Sequence, residues 1–192
     1  MPRAGLTCQK VVHEAALVAD EAGWERLSLA SVARRLEVRL PSLYKHIDSL
    51  EALRGGVAAL ATRELADELT GAAVGRSGSH ALRAIADAYR SYAQRCPGRY
   101  AATIRAPDAD NTAHVEAAEA AIRVIYATLA GYGLEGSDAV DAARALRASL
   151  HGFVTLEAHG GFGLPEDVDR SYRRLVGGLD AMLSSLSSLD ER

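Results

Sequence analysis

A chain of 192 residues with 48% hydrophobic, 24% charged and only 5% aromatic side chains has the make-up of a globular protein able to bury a core in one or two compact units. No run approaches the roughly 20 apolar residues of a spanning helix and no charged-then-apolar leader opens the chain, so no membrane partner is expected and the compartment is the cytoplasm. Cys8 and Cys96 lie far apart without paired spacing, which argues against a disulfide framework and a thiolate metal site.

The net charge of −3 divides unevenly. Seven basic and five acidic residues up to Ile47 give +2, leaving −5 on the remainder. A positive front suits phosphate contact, and an acidic rear discourages non-specific coating of DNA.

In chain order, residues 1 to about 6 read as an arm whose Arg3 is placed to reach a phosphate. Thr7 caps a first helix with Val12, Ala15, Ala16 and Ala19 on one face, ending at Gly23. Trp24 and Leu27 then offer apolar area to a core; the indole has an alternative use as a ligand-stacking group. Ser28 to Ile47, SLASVARRLEVRLPSLYKHI, predicts two short helices joined by a tight turn. Ser28 is the N-cap of the first, which turns Leu29, Val32, Ala33 and Leu36 inward and leaves Arg34 and Arg35 wet. Val38 plugs the turn, and Pro41 fits the first turn of the second helix, where its missing amide costs nothing. Leu43 and Ile47 then point inward, with Ser42, Lys45 and His46 outward and Tyr44 at the edge.

These residues, with the Ala22-Gly23-Trp24 turn, resemble the tetracycline-repressor (TetR) family of bacterial transcriptional regulators. Leu43, Tyr44, Lys45, His46 and Ile47 stand on its Leu-Tyr-x-His-Phe pattern. Glu37 departs from the family's usual glycine and Arg39 from its usual capping hydroxyl. The resemblance implies a DNA-binding domain over residues 1–47 and a ligand-binding and dimerisation domain over 48–192, with 48–70 a connecting helix. The expected DNA contacts are Arg39, Pro41, Ser42 and His46 near base edges and Tyr44 and Lys45 on phosphates. Ser28 and Leu40 complete the set, on a helix from Leu40 to His46 in the major groove. Tyr44 has the alternative role of a core-edge residue.

Asp48, with Glu51 three residues on, marks the start of the connecting helix. Leu50, Leu53, Val57, Leu60 and Ala61 form its stripe. Gly71 to Ser79, GAAVGRSGS, reads as a linker. Leu82, Ile85, Ala86, Tyr89, Tyr92, Ala93 and Cys96 then repeat with helical period until Pro97-Gly98. A short helix over 99–105 follows. The next is expected to bury Val115, Ala118, Ile122, Ile125, Tyr126 and Leu129, and a helix from Ser137 to Ala158 covers more than one face. Pro165 opens the last helix, with a stripe of Val168, Tyr172, Leu175, Val176, Leu179, Met182, Leu183 and Leu186. No strand-like alternation and no repeat stands out, so the fold class is all-α, about nine helices.

Leu150 to Leu183 resembles the carboxy-terminal domain of the TetR subgroup named for a Trp-His-Gly motif; Leu150 stands at the tryptophan, followed by His151 and Gly152. In the resembled family three helices surround an inducer cavity. Tyr89, Tyr92, Tyr126, Phe153 and Glu157 are the corresponding candidates for a mostly apolar ligand site. A carboxylate on an apolar stripe, as at Glu157, must be paired, protonated or facing a cavity. His151, Glu157 and His159 point in different directions on one helix, and there is no HExxH, nucleophile elbow, P-loop or dinucleotide fingerprint. No enzyme activity, metal or cofactor is expected. The preferred reading is a ligand-responsive repressor that binds a palindromic DNA operator as a homodimer and is released by a small molecule. A DNA-binding regulator without small-molecule input and a helical interaction scaffold are the alternatives.

Overall fold

The computed structural model describes residues 5–187. Among them nine helices follow in order: α1 (Cys8–Ala22), α2 (Leu29–Arg35), α3 (Leu40–Leu43), α4 (Leu50–Ala73), α5 (Gly78–Arg95), α6 (Pro97–Ala102), α7 (Thr112–Ala130), α8 (Gly136–Ala158) and α9 (Val168–Ser187). A 3₁₀ turn, Trp24–Arg26, separates α1 from α2. The fold is all-α, as the periodicity predicts. None of these helices is long and apolar enough to cross a membrane. The arm residue Arg3 lies outside the described residues.

The chain forms two compact units: residues up to Glu64 with Arg95–Glu119, and Leu65–Gln94 with Ala120 onward. In the first, Val11, Ala15, Val18, Leu27, Val32, Leu43, Leu53 and Val57 make one buried cluster, joined by Ala102 of α6. Trp24, Leu36 and Val38 pack at its edge. This unit therefore reaches beyond the helix-turn-helix, because α6 docks on α1. Gly98 allows that approach: a Cβ there would stand 2.0 Å from the Ala19 carbonyl oxygen. Arg99 fixes it, its amide donating to Asp20 Oδ1 (2.8 Å), its Nε to Asp20 Oδ2 (2.7 Å) and its Nη1 to Glu64 (2.8 Å). Asn111 Nδ2 donates to the Gly55 carbonyl (3.1 Å), and buried His114 is hydrogen-bonded to Thr62 (3.2 Å), so α7 is keyed to α4 by polar contacts.

In the second unit Leu82, Ile85, Leu129, Leu134, Leu146, Leu150, Val154, Tyr172, Val176 and Leu183 are buried. Tyr172 donates its hydroxyl to the Ala86 carbonyl (2.5 Å), and Asp180 accepts from Tyr132 (2.6 Å) and Arg83 (3.3 Å). Burial pushes both phenols well above their usual range, with Asp180 adding to it at Tyr132 and Asp87 at Tyr172.

Several element boundaries differ from expectation. The side chain at the head of α4 that caps it is Ser49, whose Oγ accepts from the Ala52 amide (3.0 Å), one residue beyond Asp48. The expected linker is mostly helix: α4 continues through Gly71 to Ala73, where Arg76 Nη1 caps the Ala72 carbonyl (2.8 Å), and α5 begins at Gly78. Alanines beside Gly71 outweigh its propensity cost of up to about 1 kcal/mol. The short helix α6 starts at Pro97, where proline's fixed φ suits the first turn, and stops at Ala102. On α7, Ile122 and Tyr126 are 50% and 40% exposed, while His114, Ala117, Thr128 and Leu129 are buried. Small and polar side chains line that interface, so the large apolar residues misled the periodicity. The last helix starts at Val168, because Asp167 Oδ1 accepts from the amides of Asp169 (2.8 Å) and Arg170 (3.3 Å).

Candidate nucleic-acid interface and ligand-side residues

The helix-turn-helix is closed at each joint by its own side chains and amides. Ser28 Oγ accepts from the Ser31 amide (3.1 Å), and Ser31 Oγ accepts from the Ser28 amide (3.1 Å), a reciprocal cap. At the other end of α2, the Glu37 amide donates to the Arg34 carbonyl (3.1 Å) and the Val38 amide to that of Ala33 (3.0 Å). This is the Schellman pairing, and it requires a left-handed residue after the helix. Glu37 takes that conformation, with φ of 56°. The turn thus keeps its geometry although a glutamate occupies the position where glycine is cheapest.

The recognition segment is shorter than the expected helix from Leu40 to His46. Only Leu40–Leu43 is α-helical, and Arg39 supplies no side-chain cap. The amides of Ser42 and His46 bond three residues back, to Arg39 (2.8 Å) and Leu43 (2.8 Å), the tighter 3₁₀ pattern. Leu43 and Ile47 are buried as predicted. Arg39, Leu40, Pro41, Tyr44 and Lys45 are exposed, while Ser42 and His46 are half-buried. Tyr44, at 52% exposure, is a surface side chain rather than a core edge. Arg34 joins the exposed cations, whereas Arg35 does not. Its Nε and Nη1 bind Glu14 and Glu21, each at 2.7 Å, tying α2 to α1 and holding its guanidinium still more firmly protonated, through Glu14 foremost.

In the second unit, the side chains proposed for a ligand divide. Arg90 donates through Nε to Glu157 Oε2 (2.9 Å), contacts Oε1 through Nη2, and reaches Asp169 Oδ1 (2.7 Å). Its guanidinium lies over the rings of Tyr172 (4.7 Å) and Phe153 (5.7 Å). Phe153 also meets Phe162, with ring centroids 4.8 Å apart. Of the three fates open to the Glu157 carboxylate, the structure therefore takes pairing. The hydrogen bond from Arg90 holds its pKa below the usual carboxylate value. Tyr92 is 1% exposed and Tyr89 half-buried. Tyr126 stands apart on an open depression of about 370 Å³ with Ala130, Leu134, Ala139 and Val140.

Comparison with known proteins decides the kinship. Residues 82–179 match the family described as tetracyclin repressor-like, C-terminal domain. An uncharacterized HTH-type transcriptional regulator of Mycobacterium tuberculosis, Rv0681, is 37% identical over 86% of this chain and 75% of its own. The chain belongs to the TetR family of helix-turn-helix transcriptional regulators. A second relative by sequence, the uncharacterized HTH-type transcriptional regulator YobS of Bacillus subtilis, is 35% identical over 87% of each chain. Among solved structures, a TetR variant of Acinetobacter baumannii AYE in complex with minocycline superposes with a TM-score of 0.67 at 26% identity, covering 96% of this chain and 98% of that one.

As a TetR-family regulator the protein is not an enzyme, and the His151, Glu157 and His159 side chains have structural partners. His151 Nδ1 is hydrogen-bonded to the Thr155 hydroxyl (3.3 Å) and His159 Nδ1 to the Thr155 carbonyl (2.7 Å), while Glu157 goes to Arg90. Sequence reasoning missed Arg90 and Arg99, whose carboxylate partners Glu157 and Asp20 lie far along the chain.

Proposed function

We propose that this TetR-family protein is a ligand-responsive repressor of the cytoplasm that binds a palindromic operator as a homodimer and is released by a small, mostly apolar molecule. Residues 1–47 read the DNA; 48–192 serve ligand and dimer. The observation that carries the reading is the exposed face formed by Arg39, Leu40, Pro41, Tyr44 and Lys45 beyond a turn closed by the Glu37 and Val38 amides. Ser42 and His46 join it at the base edges, Tyr44 and Lys45 take phosphates, and Ser28 brings the amino end of α2 to the backbone. Lys45→Ala then weakens binding on all sequences alike and lowers the salt slope by about one. An unchanged slope removes Lys45 from the contacts.

The proposed dimer joins α8 and α9 to their copies as a four-helix bundle. Leu156 is 51% exposed, and a Cβ on Gly152, Gly177 or Gly178 would meet nothing within 4 Å, which supports room for a second backbone. Sedimentation showing a stable monomer at micromolar concentration excludes the bundle and two-fold operator symmetry with it. The His151-Gly152 pair supports kinship with the Trp-His-Gly subgroup.

For the ligand, the candidates remain Tyr89, Tyr92, Phe153 and Glu157, with Tyr126 at a distinct surface. The Acinetobacter relative in complex with minocycline supports small-molecule input. The saturation of Glu157 by Arg90 favours the second reading, a regulator without such input. Tyr92→Ala separates them: it abolishes the response of DNA binding to a screened ligand in the first and finds no response to lose in the second.

A further inference from the structure

Arg90 uses the edges of its guanidinium unevenly. One edge is filled: Nε donates to Glu157 Oε2 (2.9 Å) and Nη2 contacts Glu157 Oε1, the two-armed pairing that suits a carboxylate. The end edge, formed by Nη1 and the other proton of Nη2, is half used. Asp169 takes Nη2 through a single oxygen, Oδ1 (2.7 Å). Nη1 makes no hydrogen bond among the described residues, and it is not a buried atom. The group as a whole is held fast, with 13% of the Arg90 side chain exposed and Cζ over the rings of Tyr172 (4.7 Å) and Phe153 (5.7 Å).

The two side chains that cover this cluster from outside are held loosely. Asp169 is 65% exposed, where an ion pair gains little. Phe162, 37% exposed, meets Phe153 with ring centroids 4.8 Å apart. Its segment, residues 160–167, is exposed throughout. The Gly160 and Gly161 amides still bond back to Glu157 (3.1 Å) and Leu156 (2.7 Å), but residues 162–166 make no backbone hydrogen bond among the described residues. A strap so sparsely tied opens at low cost. A fixed guanidinium and a phenylalanine face are thus capped by one exposed carboxylate and one exposed phenyl ring. Together those caps present the chemistry of a single small molecule, an aromatic ring that bears a carboxylate.

We propose that Arg90 and Phe153 form a receptor for an aromatic carboxylate, which displaces Asp169 from the guanidinium and Phe162 from the ring; the inference rests on the small-molecule reading above and names the ligand's class. The incoming carboxylate takes Nη1 and Nη2 with both oxygens where Asp169 offers one, and its ring takes the face of Phe153. One carboxylate replaces another, so the charge beside Arg90 is unchanged and Glu157 keeps its own edge. An apolar body with a single charged end is also the balance expected of a ligand oriented by few polar contacts.

The test is a calorimetric titration of the full-length protein, without DNA, with benzoate, phenylacetate and naphthoate, and with the neutral phenylacetamide and the ring-free hexanoate as controls. Wild type, Phe162→Ala, Asp169→Asn and Arg90→Lys are compared. An aromatic acid binds wild type, and both controls bind about tenfold more weakly or not at all. Phe162→Ala and Asp169→Asn each bind that acid several-fold tighter, because each removes a competitor that keeps the receptor closed. Arg90→Lys, which keeps the charge but not the fork, loses most of the affinity. Thermal melting accompanies each variant; should Arg90→Lys melt far lower, the two tightening variants decide alone. Affinity that is unchanged or weaker in both of them, or no binding of any aromatic acid by either, overturns the receptor and leaves Asp169 and Phe162 as staples for the start of α9. Binding to an operator duplex selected from a random pool is then measured with and without the acid. Tightening in the variants without any change in DNA affinity supports the receptor and overturns the ligand-responsive reading. Release of DNA by some other screened molecule, with no aromatic acid bound, overturns the receptor and keeps that reading.

Discussion

Gly98 of α6 lies on the backbone of Ala19 in α1, so near that any β-carbon would be 2.0 Å from its carbonyl oxygen and 2.5 Å from the amide nitrogen of Asp20. Backbone cannot turn aside as a long side chain can. Gly98→Ala is therefore expected to prise α6 from α1 and to cost about 3 kcal/mol or more, the upper end for overpacking. Denaturant unfolding measures it; a midpoint within error of wild type means that α6 shifts freely.

Glu37 points the other way. A left-handed glutamate in a Schellman turn is strained by roughly 1 kcal/mol, and glycine relieves it at some cost in unfolded-chain entropy. Glu37→Gly should raise the unfolding free energy, read from the urea midpoint, by a net of up to about 0.5 kcal/mol. A lower midpoint would mean that the glutamate side chain contributes a contact worth more than the strain.

Acid should weaken the second unit through Glu157. Its folded pKa is depressed by Arg90, so the stabilisation is complete above the usual 4.5 and is lost as pH falls through the lower folded value. Glu157→Gln leaves Arg90 with Asp169 alone, which lowers stability near neutral pH by about 1–3 kcal/mol and flattens the acid limb. Urea midpoints across pH for both proteins decide this; parallel curves exclude the pair as the source.

His114 acts at a higher pH. Burial against Thr62 lowers its pKa from 6.5, so the folded state prefers the neutral ring, and its contribution is complete above 6.5 and lost as pH falls below it. Its imidazole resonances should titrate with a midpoint under 6.5. A midpoint at or above that value would show a ring open to water.

Much of this was legible in the chain. Ser28 announces a cap, Val32, Leu43 and Ile47 announce a face, and the Leu43-Tyr44-Lys45-His46 run carries the kinship, because local signals act over a few residues. What escaped involves partners far apart in sequence. Nothing near Glu157 discloses that Arg90 neutralises it, and nothing near Gly98 discloses Ala19. Composition suggested a break across Gly71–Ser79, and helix gives way only over residues 74–77, because alanines carry α4 on to Ala73. The recognition helix was overread for a related reason: Arg39 gives α3 no cap, and the burial of Leu43 and Ile47 four residues apart is achieved by a turn whose Ile47 amide bonds the Leu43 carbonyl (3.0 Å), without a continuous helix.

The unit that carries the helix-turn-helix is assembled from two separate stretches of chain, since α6 and the start of α7 return to it after an excursion of some thirty residues. Modular exchange is thereby constrained. A hybrid regulator made by joining the first 64 residues to another protein's sensor would bring Asp20 without Arg99 and the Ala19 backbone without Gly98 to cover it. Recombination that preserves the helix-turn-helix unit must carry residues 95–119 along, so the two units of this protein are not interchangeable cassettes.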